Sequence, residues 1–269
     1  MVKKLFKHEF LAWLRVLPII YGAVLALAGM HRIIQIFEAD SIYYTLVSGS
    51  ATLVYCIALF VCLAAPDVFG VVRYYKNFFT GEGYLTFTLP VSTAEHLWVK
   101  LVTATTFSLI SLLVCLVSVP IITAGDVFTE LCKAGAYIAG KIPSDAIGHL
   151  IGYCAELFAF ILAAMCGGHL LYSTCICIGQ LARKNRILAA VGVYFGFYFA
   201  AQILSTILSV VFMILTAAGA FDGVVEFASA HPVATIHIAL CVGIAVQLLL
   251  AGVFWLICHS IIRKKLNLE

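Results

Sequence analysis

The chain has 269 residues, of which 64% are hydrophobic and only 11% charged, and its formal net charge is +3. Its mean hydropathy of +1.10 lies well outside the range that is usual for soluble domains. No basic stripe interleaved with aromatic residues lies away from the apolar segments, which excludes a nucleic-acid-binding protein. These values predict an integral membrane protein.

Six apolar stretches are long enough to cross a bilayer, since a helix needs roughly 20 mainly apolar residues to do so. Their approximate ranges are 17–37, 46–72, 99–124, 147–181, 187–219 and 232–262. They are too long and too uniformly apolar for the alternating strands of a barrel. We therefore predict an all-α integral membrane fold with six transmembrane helices.

We expect one transmembrane domain over residues 1–269, with no soluble domain. Spans 1–3 fall within 17–124 and spans 4–6 within 147–262. The segment near 125–146 separates these two halves, and its glycines predict turns or a short helix.

Residues 1–16 carry a second, amphipathic pattern before the first span. Apolar side chains recur at spacings of three and four: Phe6, Phe10, Trp13, Leu14 and Leu17. Lysines and Arg15 collect on the opposite side, whereas Glu9 lies awkwardly near the apolar edge. The pattern predicts an interfacial helix that lies along the membrane, and a simple extension of the first span is the alternative.

The distribution of basic residues predicts the orientation of the chain. Of the 16 lysines and arginines, only Arg32, Lys133 and Lys141 fall outside the two terminal segments and the second and fourth loops. Because positive charge is retained on the cytoplasmic side, both termini and these two loops are expected to be cytoplasmic. The expected location is a cell membrane, crossed several times.

Cysteine and histidine usage gives no metal site. Nine of the ten cysteines lie inside predicted spans, where they serve as small apolar residues, and Cys132 alone lies outside. His169, His237 and His259 also lie in spans, which keeps a haem-binding bundle open as an alternative. We predict no metal.

The second loop contains the longest polar stretch, RYYKNFFTGEGYLTFTLPVS, at residues 73–92. Its spacing predicts a short helix, a turn at the glycines and a return to the membrane, with Ser92 capping the next helix. Residues 84–89 alternate as a strand does, but a single strand without a partner is not stable. An irregular or helical connection is therefore expected.

Three features of this region, Glu82-Gly83-Tyr84-Leu85, Leu89-Pro90-Val91-Ser92 and Lys100 at the start of a span, resemble the element after the second transmembrane helix of ABC-2 type transporter permeases. The six spans, the cytoplasmic termini and the amphipathic N-terminal helix are also similar to that family. The motif covers about 30 residues, and the topology covers the whole chain.

The resemblance implies a coupling segment within the cytoplasmic loop 73–98 that docks on a nucleotide-binding ATPase subunit. The residues expected to carry this contact are Arg73, Tyr74, Tyr75, Lys76, Asn77, Phe78, Phe79, Thr80, Gly81, Glu82 and Gly83. The chain has no GxxxxGK[ST] phosphate loop, so it is not expected to be an enzyme. ATP and Mg²⁺ would be bound by the partner ATPase, and this chain would bind no cofactor.

Two further partners are expected: the lipid bilayer and a second permease subunit, identical or different. Export across a bacterial cytoplasmic membrane is what the resemblance implies. The alternatives are a haem-binding or sensory bundle that transports nothing, and a channel. We expect exposed aromatic side chains at Tyr74, Tyr75, Phe78 and Phe79 to anchor the ATPase, or to lie at the headgroup level.

Polar side chains inside the spans are the candidates for a substrate path, since ionisable groups are costly there. Glu156 is the clearest, and His31 or Arg32 could pair with it or merely reach the lipid headgroups. Span five carries a polar stripe on one face, which we expect to be turned away from lipid: Tyr194, Tyr198, Gln202, Ser205 and Ser209. The stripe lines a path or, more commonly, packs between helices.

Two other predictions concern spans two and three. Span three has a face of small residues suited to close helix contact or a dimer seam: Ser108, Ser111, Cys115 and Ser118. Asp67, after Pro66, is expected where span two leaves its helix toward the coupling loop.

Overall fold

The structure is a computed structural model that describes residues 2–37, 40–123, 125–141 and 146–265. Within these ranges every regular element is a helix. In chain order the helices are α1 (Val2–Leu14), α2 (Leu17–Ile36), α3 (Ile42–Phe79), α4 (Glu82–Thr88), α5 (Thr93–Thr123), α6 (Asp126–Lys141), α7 (Ala146–Gly179), α8 (Arg186–Ala217), α9 (Asp222–Ala230) and α10 (Pro232–Lys265).

Six helical stretches are long and apolar enough to cross a membrane, which confirms the predicted all-helical, multi-pass class. The first counts α1 and α2 together, and the others are α3, α5, α7, α8 and α10. Each predicted span matches one of these long helices. The regions between them are helical too: α6 occupies the segment near 125–146, and α9 was not predicted.

Helix α3 is much longer than the span predicted inside it. It has 38 residues and continues through Pro66 to Phe79. The prediction that the chain leaves the helix near Asp67 is therefore wrong. A proline is tolerated inside such a helix because neighbouring groups can satisfy the backbone carbonyl that it frees.

The helices pack into two compact units. The first comprises Met1–Lys76 and Leu85–Pro143, and the second comprises Asn77–Tyr84 and Ser144–Glu269. The main division falls within the segment near 125–146 that separates the two predicted halves, while a short piece of the second loop belongs to the second unit.

Aromatic side chains form the core of the first unit. Trp13 of α1 packs edge-on against Phe69 of α3 at 5.0 Å and stacks on Phe107 of α5 at 5.2 Å. Phe10 also contacts Phe107, at 4.9 Å between ring centres. Trp13 and Leu17 are fully buried. Helix α1 is thus packed onto α3 and α5 through Phe10 and Trp13.

A polar seam joins α2, α3 and α5 inside the same unit. Tyr21 donates to the Phe107 carbonyl at 3.1 Å, and Ser111 donates to the Tyr21 hydroxyl at 3.0 Å. The hydroxyls of Tyr55 and Ser118 lie 2.6 Å apart. Ser111 and Ser118 are fully buried. The predicted close contact along the small face of span three is confirmed for Ser111, Cys115 and Ser118, which are buried within the unit.

Replacing Tyr55 with Phe is expected to lower the free energy of unfolding by only about 0.6 to 1.7 kcal/mol, the range of single interhelical hydrogen bonds in membranes. The loss stays small because Ser118 still donates to the Cys115 carbonyl at 2.7 Å. Denaturation in mixed micelles measures this change in the free energy of unfolding. Tyr43→Phe is the control, because the side chain of Tyr43 is exposed. A Tyr55–Ser118 double-mutant cycle with no coupling energy would contradict the bond.

Helix α7 is the centre of the second unit, with α10 and α8 packed against it. The Thr174 hydroxyl contacts α10 twice, at 3.2 Å from the Phe254 carbonyl and 3.2 Å from the Cys258 thiol. Cys175, Cys177 and Cys258 are buried. These cysteines act as small core residues, as the sequence predicts.

Candidate functional site

The connection between α3 and α5, residues 80–92, is built from local sequence signals. After α3 ends at Phe79, the Gly83 amide donates to the Thr80 carbonyl at 2.7 Å and closes a tight turn. The short helix α4 follows directly. The prediction of a helical connection over residues 84–89 is therefore confirmed, and the alternating pattern in this stretch does not form a strand.

A capping box begins the next helix. The Ser92 backbone amide donates to the Glu95 carboxylate at 2.8 Å, and the Glu95 amide donates to the Ser92 hydroxyl at 3.3 Å. Such reciprocal bonds satisfy two backbone donors that the first turn of a helix would otherwise leave unpaired. The predicted cap at Ser92 is confirmed, and α5 starts at Thr93.

The aromatic residues predicted as docking anchors are mostly buried. Tyr74 is 4% exposed, Phe78 0% and Phe79 7%. The expectation that these three rings are exposed is wrong, because α3 continues as a helix through them and turns them into the protein. Tyr75 is partly buried.

The other residues of the predicted coupling segment differ in exposure. Lys76, Gly81 and Glu82 are exposed. Asn77 and Thr80 are partly buried, as is Arg73, and Gly83 is buried.

Helix α4 presents the exposed side chains of this region. Tyr84 is 53% exposed and Leu85 is 73% exposed, and Glu82 stands beside them at the start of the helix. We call these three residues the α4 surface. Two of its three members lie outside the segment singled out from the sequence, because the exposure of a side chain next to a turn depends on how the flanking helices pack.

Glu9 is the centre of an ion cluster that joins three helices of the first unit. Arg73 of α3 makes a two-pronged contact with its carboxylate, with both N–O distances at 2.8 Å. Lys100 of α5 lies 3.4 Å from the same carboxylate, and the Trp13 indole donates to it at 3.4 Å. Glu9 is buried. These partners explain why an acidic residue lies at the apolar edge of α1.

The structure gives Glu156 a partner that no pattern in the sequence indicates. His237 of α10 lies beside it, with His237 Nδ1 at 2.7 Å from Glu156 Oε1. The other carboxylate oxygen, Oε2, is buried without a hydrogen-bond partner among the described residues. His31 instead contacts Thr52 at 2.8 Å, and Arg32 donates to Gln35 at 3.5 Å. Within its own unit each of these residues thus has a partner, and the partner of Glu156 is His237.

A second histidine extends this pair. Nδ1 of His149 lies 3.3 Å from Nε2 of His237, so the three side chains form a continuous chain. Tyr153 stacks on the His237 ring at 4.3 Å and donates to the Val233 carbonyl at 3.0 Å. A methyl group on Gly152 would lie 3.1 Å from the same ring, so this glycine gives it room.

An open cavity of about 600 Å³ lies beside His149 and His237, at one end of this row of three side chains. It is lined by His149, Ala230, His231, Pro232, Val233, Ala234, His237 and Ile238. His149, Tyr153 and Glu156 follow one another on α7 at spacings of four and three, which places them on one helical face. That spacing was the signal in the sequence that could have grouped them.

The polar stripe of span five is not packed within the second unit. Helix α8 has no buried residue. Tyr194 lies 5.8 Å from Tyr172 between ring centres, but Tyr198, Gln202, Ser205 and Ser209 are exposed. Ser209 donates back to the Ser205 carbonyl of its own helix at 2.8 Å. These four side chains are therefore not buried between helices of the second unit.

Among the described residues, no group of three or more His, Cys, Asp or Glu side chains is arranged to hold a metal ion. The three intramembrane histidines have separate surroundings. His169 is buried, His237 contacts Glu156, and the His259 ring stacks in parallel on Trp255 at 5.1 Å.

Comparison with protein-family models, with curated proteins and with solved structures finds no match for this chain.

Proposed function

We propose that the chain is the membrane-spanning permease subunit of an ABC-2-like transporter, energised by a separate ABC ATPase subunit. The observation that carries this proposal is the short helix α4, which stands exposed between the ends of two long apolar helices. The Glu-Gly and Pro-Val-Ser pattern of the same region supports it. In this arrangement both termini are cytoplasmic, α1 lies at the membrane interface, and transport is outward.

The length of α3 supports a connection that stands clear of the bilayer. Its 38 residues extend about 57 Å at 1.5 Å per residue, whereas the hydrocarbon core is about 30 Å thick. A helix of this length is strongly tilted or reaches beyond the membrane on at least one side. Protrusion at its C-terminal end brings α4 within reach of a soluble partner.

The Glu9 cluster supplies a mechanical link for such a partner. Arg73 lies on the last two turns of α3, and Lys100 lies on the second turn of α5. Both are bound by one buried carboxylate on α1. A push on α4 therefore reaches α3, α5 and α1 together, and closure of the ATPase subunits would shift these helices as a group.

The surface that docks on the ATPase is centred on α4. Tyr84 and Leu85 provide apolar area at the contact, and Glu82 provides a charge that fixes its register. Of the segment 73–83 that the resemblance indicates, Lys76, Gly81 and Glu82 are exposed. The rings of Tyr74, Phe78 and Phe79 are buried, so we expect them to stabilise the segment by packing and not to contact the ATPase.

A second permease subunit accounts for the exposed polar stripe on α8. Tyr198, Gln202, Ser205 and Ser209 face outward from the second unit, and polar side chains are unfavourable against lipid. Pairing with an identical or related subunit would cover this stripe and place it along a shared path. We expect Glu156, on α7, to line the same path.

Replacing Tyr84 with Ala is expected to weaken binding of the ABC ATPase by about 2 kcal/mol, or about 30-fold, the effect of a central aromatic anchor. We expect the gene of the ATPase to neighbour the gene of this chain, and the protein from that gene is the one to test. Both subunits are purified together in detergent, and the affinity and the stimulated rate of ATP hydrolysis are measured.

Tyr137→Ala is the matched control, because Tyr137 is a similarly exposed tyrosine on α6, on the opposite side of the membrane in the proposed topology. It should bind the ATPase as the wild type does. Unchanged affinity in Tyr84→Ala and Leu85→Ala, with transport intact, would refute docking on α4. Failure of any ABC ATPase to bind would favour a bundle that transports nothing.

A further inference from the structure

We propose that His149, His237 and Glu156 form a relay. It carries a proton between the cavity beside α10 and the carboxylate of Glu156 on α7. The relay goes beyond the proposed function, and its existence does not depend on an ATPase. Chains of acidic residues and histidines are the usual means by which membrane proteins move protons through apolar surroundings.

The geometry of the three side chains carries the proposal. Successive polar atoms are 3.3 Å apart between His149 Nδ1 and His237 Nε2, and 2.7 Å apart between His237 Nδ1 and Glu156 Oε1. Both distances are within hydrogen-bonding range. Each imidazole offers one ring nitrogen to either side, so both can receive a proton on one nitrogen and release one from the other.

The exposure of the three side chains is greatest at His149, beside the cavity, and lower at His237 and Glu156, as a relay that starts in the cavity requires. His149 is exposed and lines the cavity. The side chains of His237 and Glu156 are 25% and 22% exposed, and Oε2 of Glu156 has no access to solvent and no hydrogen-bond partner among the described residues. A proton that enters from the cavity at His149 therefore passes to His237 and then to the carboxylate of Glu156.

The surroundings hold His237 in place and leave the relay without a competing fixed charge. The titratable groups around His237 are His149, Tyr153 and Glu156 on α7 and His231 between α9 and α10. Tyr153 covers one face of the His237 ring. The described lining of the cavity contains no lysine, arginine, aspartate or glutamate.

The transfer balances as three linked proton transfers. With both imidazoles protonated on Nδ1, a proton from cavity water adds to Nε2 of His149. His149 then gives its Nδ1 proton to Nε2 of His237, and His237 gives its Nδ1 proton to Oε1 of Glu156. Both imidazoles end neutral and protonated on Nε2, and the carboxylate becomes a carboxylic acid. The reverse steps return the proton to the cavity.

The test follows protonation of Glu156 directly, by infrared difference spectroscopy of the full chain in lipid nanodiscs. Acidification should produce a carboxylic-acid band that is missing in Glu156→Gln. After a rapid drop in pH, the band should appear about 100-fold more slowly in His149→Ala than in the wild type, the usual contribution of a positioned proton donor. Added imidazole should restore the rate.

His149→Ala carries the test because His149 is exposed, so its loss leaves the packing of α7 intact. His231→Ala is the matched control, since His231 lines the same cavity but is not one of the three relay residues. The Glu156 band should appear in this variant at the wild-type rate. A wild-type rate in His149→Ala, or no Glu156 band on acidification, overturns the relay. Binding of one Zn²⁺ by the wild type that is lost in His149→Ala also overturns it, because the imidazoles would then be metal ligands.

Discussion

Replacing Glu9 with Ala should lower the free energy of unfolding of the first unit by about 3 to 5 kcal/mol, the cost of breaking a buried ion pair from one side. Without its carboxylate, Arg73 and Lys100 remain as two neighbouring positive charges. Their side chains are only 24% and 12% exposed. Both the desolvation of each cation and their mutual repulsion then oppose folding.

Denaturation in mixed micelles, monitored by tryptophan fluorescence, measures this change, since Trp13 contacts Glu9 directly. Glu130→Ala is the matched control because Glu130 pairs with Lys133 on an exposed surface. Exposed pairs contribute at most about 1 kcal/mol. Equal, small effects of Glu9→Ala and Glu130→Ala would show that the cluster does not hold α1 to α3 and α5.

A partial rescue would separate charge from packing. In the double variant Glu9→Ala with Arg73→Ala, one of the two uncompensated cations is removed. We expect this variant to be more stable than the sum of the two single changes predicts, since neighbouring ionic groups are not additive. Strict additivity would mean that Glu9 stabilises the unit by packing alone.

Replacing Gly179 with Ala should destabilise the second unit by about 3 kcal/mol, at the upper end of the cost of overpacking. A methyl group at this position would lie 2.5 Å from the Ala190 Cβ and 2.6 Å from both the Cα and the backbone nitrogen of Ala190. Backbone atoms cannot rotate away as a long side chain can. The start of α8 would therefore have to move away from α7.

Gly168→Ala is the control in the same helix, because nothing lies within 4 Å of a methyl group there. Alanine favours a helix over glycine by up to about 1 kcal/mol, so this control should be neutral or slightly stabilising. The same denaturation assay compares both variants. A Gly179→Ala protein as stable as Gly168→Ala would contradict the close approach of α7 and α8.

The sequence by itself determined the class of fold and several local features. Hydropathy predicted the positions of all six long helices. The length of an apolar run can be read locally from the sequence, and the thickness of the bilayer sets the length that a spanning helix needs. The Ser92 cap needed only Glu95, three residues away, and the small face of α5 was visible at helical spacing. Helix ends were less predictable, and α3 continues seven residues beyond the predicted end of span two.

Only the tertiary structure decided which polar residues meet. Glu9 lies 64 residues from Arg73 and 91 from Lys100, and Glu156 lies 81 residues from His237. No local pattern encodes such distances along the chain. The exposure of Tyr84 and Leu85 and the burial of Tyr74 and Phe78 likewise depend on packing, since in a chain this apolar the same aromatic residue suits either surrounding. Periodicity tells which side chains share a helical face, whereas the neighbouring helices decide whether that face meets protein, a partner or lipid.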